Sequence, residues 1–176
     1  MFRRSTAAAL AVLLVAASSV LGATAQQASS ETLVVSTTTT LTGLPATLSY
    51  GSVLGGATAS TSPFTLNAAT NNANGLNVAY TASDFASGGN TIAATARSML
   101  FTSAGSGCSS VGALSTWNVP PGKAHSGAAG TSQPMVTRPN PGSCAIAGVT
   151  MSVAVPGGAI PGTYAGTLTV TVTEIP

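Results

Sequence analysis

Thr163-Tyr164-Ala165-Gly166-Thr167-Leu168-Thr169-Val170-Thr171-Val172-Thr173-Glu174 is the stretch that decides the fold. Tyr164, Gly166, Leu168, Val170 and Val172 fall on one side of an extended chain. Thr163, Thr167, Thr169, Thr171 and Thr173 fall on the other. A period of two marks a half-buried strand, with aliphatics inward and hydroxyls outward. β-branched Thr and Val suit the pleat. The preceding segment repeats the scheme, setting Val149, Met151, Val153 and Val155 against Thr150, Ser152 and Ala154. Between the two lies Pro156-Gly157-Gly158-Ala159-Ile160-Pro161-Gly162. This run is dense in turn residues, and it fits either a hairpin or a crossing between sheets.

Working back toward the start, residues 32–42 read as a Thr-rich strand, 46–50 as a short one and 57–61 as another. Residues 64–68 and 76–80 alternate, with Asn71-Asn72-Ala73-Asn74-Gly75 as the turn between them. Asn-Gly suits positive φ. Ile92, residues 99–101 and Met135-Val136 mark further strands, and residues 93–97 fit a single helical turn. Turn signals spaced every eight to twelve residues predict an all-β antiparallel β-sandwich with Greek-key or immunoglobulin-like wiring. The residues from 120 to 142 are rich in Gly, Pro, Ser and Ala and carry Lys123, His125 and Arg138. They read as a flexible surface excursion.

The start of the chain is of another kind. Arg3 and Arg4 precede an apolar run from residue 7 to 21, and Ala23-Thr24-Ala25 is a small-x-small cleavage site. Residues 1–25 therefore read as a secretory signal peptide, and 26–176 as a single secreted domain. The apolar run is short for a membrane span, so no stable span is expected after cleavage. The processed chain balances Arg97, Lys123 and Arg138 against Glu31, Asp84 and Glu174. It offers no basic footprint for nucleic acid. A surface with so little charge also favours association over repulsion. In an exported chain, Cys108 and Cys144 are expected to form a disulfide. Closing that loop is worth about 3–4 kcal/mol in the chain-entropy account.

Catalytic chemistry finds little to work with. Paired-carboxylate catalysis needs two positioned acids, and the acids here are Glu31, Asp84 and Glu174, the first and last near the ends of the processed chain. The sole imidazole, His125, sits in a Gly/Ala/Ser stretch, which is poor support for a pre-organised base. No nucleophile elbow, phosphate loop or dinucleotide fingerprint occurs. One His with two paired cysteines makes no zinc set, and scattered carboxylates make no calcium site. The expectation is a non-enzyme without cofactor or metal. Trp117, ahead of Asn118-Val119-Pro120-Pro121, is the candidate ligand contact, as an exposed platform for sugar; the alternative is a packing role in the core. Leu44-Pro45-Ala46-Thr47 has the form of the start of a sortase signal but continues with Leu48, and it reads as a turn.

Residues 75–85, Gly-Leu-Asn-Val-Ala-Tyr-Thr-Ala-Ser-Asp-Phe, lead into Gly88-Gly89-Asn90-Thr91-Ile92-Ala93-Ala94. Together with the closing segment from Val153 to Val170, this stretch resembles the WxL-type surface domains of Gram-positive bacteria, loosely over residues 50–173. The resemblance implies a surface β-sandwich that associates with the cell wall without covalent linkage. Leu76 stands where that family's first Trp motif begins, and the second Trp-x-Leu is absent, so no binding residue carries over. The function expected is that of a secreted structural or adhesive protein of the cell surface. Its partners would be cell-wall polymer, other surface proteins or further copies of itself. A pilus-like subunit working by strand exchange and a carbohydrate-binding module are the alternatives.

Overall fold

The computed structural model describes residues 36–176. The signal peptide read over residues 1–25, Glu31 and the first part of the Thr-rich strand lie outside the described residues. The rest is the expected all-β antiparallel sandwich. Its strands are β1 (Thr39–Thr42), β2 (Thr58–Ser60), β3 (Phe64–Thr70), β4 (Leu76–Ala82), β5 (Phe85–Ser87), β6 (Asn90–Ile92), β7 (Arg97–Leu100), β8 (Ser109–Ser110), β9 (Lys123–Ala124), β10 (Gln133–Arg138), β11 (Gly142–Ala154) and β12 (Leu168–Glu174). Two short 3-10 turns, Ala94–Ala96 and Leu114–Thr116, complete it. The first falls within the single turn expected over residues 93–97.

One sheet runs β1-β3-β11-β7-β9, with β2 paired further along β11; the other runs β12-β4-β10-β8. β5 and β6 form a separate hairpin, the one place among the described residues where strands consecutive in sequence pair. Elsewhere, neighbours in each sheet come from distant parts of the chain. The Pro/Gly connection after β11 therefore crosses between sheets, since β11 and β12 belong to different layers. The Asn-rich turn does the same between β3 and β4. Gly75 makes that crossing at φ +87°, where a Cβ would run into the Arg138 carbonyl, so no other residue fits without displacing backbone.

Alternation is visible in burial. Leu76, Val78, Tyr80 and Ala82 of β4 are buried, as are Leu66 and Ala68 of β3. All of these but Ala82 meet Met99, Phe101, Met135, Val136, Ile146, Val149 and Met151 in one core. Burying each such side chain contributes about 1.5–3 kcal/mol. A smaller cluster, Phe85, Ile92 and Val153, caps one end.

Three expectations change. Residues 46–50 form no strand; Pro45 removes a donor, and Leu44, Leu48 and Tyr50 pack on the core from a loop. β12 begins at Leu168 rather than residue 163. The residues before it hold one bridge, Ala165 to Ala86, as they pass across Arg97. The stretch 120–142 is not a loose excursion: it contains β9 and β10 and buries His125, Gln133, Met135 and Val136.

Candidate ligand-binding cleft

A cleft of about 810 Å³ opens at the end of the sandwich where the smaller cluster lies. One wall is the loop of residues 44–55, another the crossing of residues 159–168. Phe85, Ile92, Arg97, Val153 and Val155 supply the inner surface. Ser49, Ser52, Thr163, Thr167 and Tyr164 also line it, as do the exposed Leu54 and Ile160. Its volume falls in the range of small-molecule sites.

Arg97 is the chemical centre of this wall. It opens β7, pairs with Val153 of β11, and is 3% exposed. Its guanidinium lies over Phe85, with Cζ 3.7 Å from the ring centroid. Tyr50 meets the same ring edge-on, at 5.5 Å between centroids and 85° between planes. Stacking of a desolvated guanidinium on an aromatic face is worth about 2 kcal/mol. Hydrogen bonding does not complete the compensation. Nη1 donates a long bond to the Thr167 carbonyl at 3.5 Å, while Nε and Nη2 have no partner. Asp84 is nearby, but its Oδ1 accepts the Ala94 N–H at 2.7 Å. Burial draws the Arg97 pKa below its ordinary value, opposed by Tyr50, Asp84 and Tyr80.

Behind Arg97 lie two more polar groups without partners. The Tyr80 hydroxyl and both ring nitrogens of His125 are buried with no hydrogen bond. The two rings meet edge to face at 5.7 Å. Burial pushes the Tyr80 hydroxyl up to about 12, against a lowering pull from the Arg97 charge. Burial also raises Tyr50, again opposed by Arg97. His125 is fixed by its own backbone, whose N–H donates to the Arg97 carbonyl at 2.9 Å. At 2% exposure its imidazole does not reach solvent.

The residues singled out in the sequence fall elsewhere. Cys108 and Cys144 form the expected disulfide, with Cα atoms 6.0 Å apart. Trp117, the candidate ligand contact, is a correction: it is 0% exposed and presents no face to a ligand. Its ring packs on Phe101 at 4.8 Å, its Nε1 donates to the Val111 carbonyl at 3.0 Å, and the Lys123 Nζ sits 4.6 Å from its centroid. The core role is what this tryptophan performs, because its indole N–H finds an internal acceptor. Among the described residues no three His, Cys, Asp or Glu side chains gather as metal ligands, and no helix is long and apolar enough to cross a membrane.

Sequence reasoning missed Arg97 as a site residue. The signal was there in muted form: a lone cation in an apolar run, Ala94-Thr95-Ala96-Arg97-Ser98-Met99-Leu100-Phe101, in a chain with very few charges.

No protein-family profile matches this chain, and no curated protein matches it. Among solved structures, it is similar to a family 123 glycoside hydrolase from Clostridium perfringens, described in a study of glycolipid glycan hydrolysis. The identity is 16% and the TM-score 0.40, over 70% of this chain and 19% of the other. The chain thus spans about a fifth of that protein's length, and at this degree of likeness no activity or residue role transfers.

Proposed function

We propose that the protein is an exported, non-enzymatic component of the cell surface that acts by binding, in a structural or adhesive role like that of the WxL-type domains it resembles. The observation that carries this reading is the cleft. It joins aromatic and hydroxyl-bearing walls to one buried cation, while the sole imidazole stands behind that wall with neither nitrogen engaged. Such a surface orients and holds a ligand, whereas general acid–base chemistry needs a group within hydrogen-bond reach of the substrate. The disulfide and the uncharged, Thr-rich outer faces fit a protein that works outside the cell. Strand exchange draws no support, because β1 is paired in register with β3 over all four of its residues.

Incubating the processed chain with purified Gram-positive cell walls and sedimenting them tests this. Retention in the pellet at physiological salt is the expected result. Recovery in the supernatant overturns wall association, and turnover that disappears on His125→Ala overturns the non-enzymatic reading.

A further inference from the structure

We propose that the cleft is a site for an anionic saccharide, with the acid seated on Nε and Nη2 of Arg97 and the sugar ring against Tyr50 and Tyr164. This rests on the binding role proposed above and names its ligand class.

The two arginines of the described chain make the contrast. Arg138 uses every nitrogen: Nε donates to the Pro141 carbonyl at 3.2 Å, Nη2 to the same oxygen at 2.9 Å, and Nη1 to the Ser106 carbonyl at 2.9 Å. It is a structural clamp beside the disulfide. Arg97 is buried more deeply and keeps two donors unused. Nε and Nη2 form one edge of the guanidinium, the edge that meets both oxygens of a carboxylate or phosphate in parallel bonds. A buried charge without such bonds is costly, and Asp84, whose Oδ1 accepts the Ala94 N–H, makes no hydrogen bond to it. An external anion completes what the interior leaves open.

The body of the ligand follows from the walls. Tyr50 and Tyr164 line the cleft together with the hydroxyl-bearing residues Ser49, Ser52, Thr163 and Thr167. That mixture suits a pyranose ring better than a hydrocarbon chain. The exposed Leu54 and Ile160 would suit an acidic peptide instead, which is the competing outcome. Access requires movement: Gly166 lies directly on Nη2, and both open donors are shut from solvent. The covering segment is held by the Ala86–Ala165 bridge and by Ser83, whose N–H donates to the Thr167 carbonyl at 3.0 Å. Seating an acid lifts this segment.

The processed chain contains two arginines, so its ¹⁵N spectrum shows two Nε–H resonances, assigned with Arg97→Lys. The probes are trigalacturonate, glucose 1-phosphate, neutral maltotriose and an acidic tripeptide. Expected is a saturable shift of the Arg97 resonance, with Arg138 still, on adding the galacturonate (carboxylate source) or the sugar phosphate (phosphate source). Maltotriose should bind at least tenfold more weakly, and Arg97→Gln should lose tenfold or more in affinity. A still Arg97 resonance with both anionic saccharides overturns the proposal. So does equal binding of maltotriose, or a response to the peptide alone. If Arg97→Gln fails to fold, the wild-type resonances decide. Retention on cell walls with a silent Arg97 sinks this inference alone; an Arg97 response without wall retention sinks the wall association alone.

Discussion

The Glu174 carboxylate accepts a hydrogen bond from the Thr39 hydroxyl at 2.7 Å, joining the last strand of one sheet to the first strand of the other. Its second oxygen accepts from the Asn72 side-chain amide at 3.1 Å, in the turn where β3 crosses to β4. These bonds favour the charged carboxylate and hold its pKa below the ordinary value. A depressed folded-state pKa contributes stability above the unfolded-state pKa, and that contribution is lost as pH falls through the folded one. The melting temperature of the wild type should therefore exceed that of Glu174→Gln at neutral pH. The gap should close as the solution is taken below the ordinary carboxylate range. A gap constant with pH would refute the assignment.

Opening the Cys108–Cys144 bridge releases a loop whose ends are 36 residues apart. The chain-entropy account puts its worth at about 4 kcal/mol. Urea denaturation of the Cys108→Ala/Cys144→Ala double variant should show a loss of this order. The same shift should appear when the wild type is reduced.

Trp117 fills the core beside Phe101, with the Lys123 ammonium over its ring, and Trp117→Ala should cost about 3–5 kcal/mol. The protein has a single tryptophan, so its fluorescence reports the site directly. Native emission should be that of a dry indole, moving to longer wavelength only at the global unfolding transition. A wet indole in the native state would contradict the placement.

Arg97 is buried with two donors idle, so the cost of burying its charge should offset what the Phe85 stack and the Thr167 bond return. Arg97→Met keeps the stem and should leave stability unchanged or raise it by about 1–3 kcal/mol, read from urea midpoints. A loss of several kcal/mol would mean that the Phe85 stack and the Thr167 bond outweigh the cost of burying the charge.

Much of the fold could be read from side-chain order. Alternation in residues 64–68, 76–80 and 149–155, and in the second half of the 163–174 stretch, named the strands, because one buried face imposes a period of two. It could not name their partners. The Asn-Gly turn before Leu76 has hairpin chemistry, yet it hands the chain from one sheet to the other. Which sheet receives a strand depends on contacts remote in sequence. The stretch from 120 to 142 misled through its composition: Gly and Ser signalled looseness, whereas His125, Gln133 and Met135 sit inside. Trp117 fits two roles by sequence, and only packing decides between them. Arg97 escaped notice because a lone cation in a strand is ordinarily a solvated one. What makes it chemical is the Phe85 ring beneath it and the Gly166 backbone above it.

The Cys108–Cys144 bond closes a covalent ring, and that ring holds β8 and β10 of one sheet and β9 of the other. A protease that cuts once inside the ring therefore cannot release a fragment. The nicked molecule stays one particle with both layers in place, and on a gel it separates into two pieces only after reductant is added. A single clip inside the ring is therefore damage the molecule can survive.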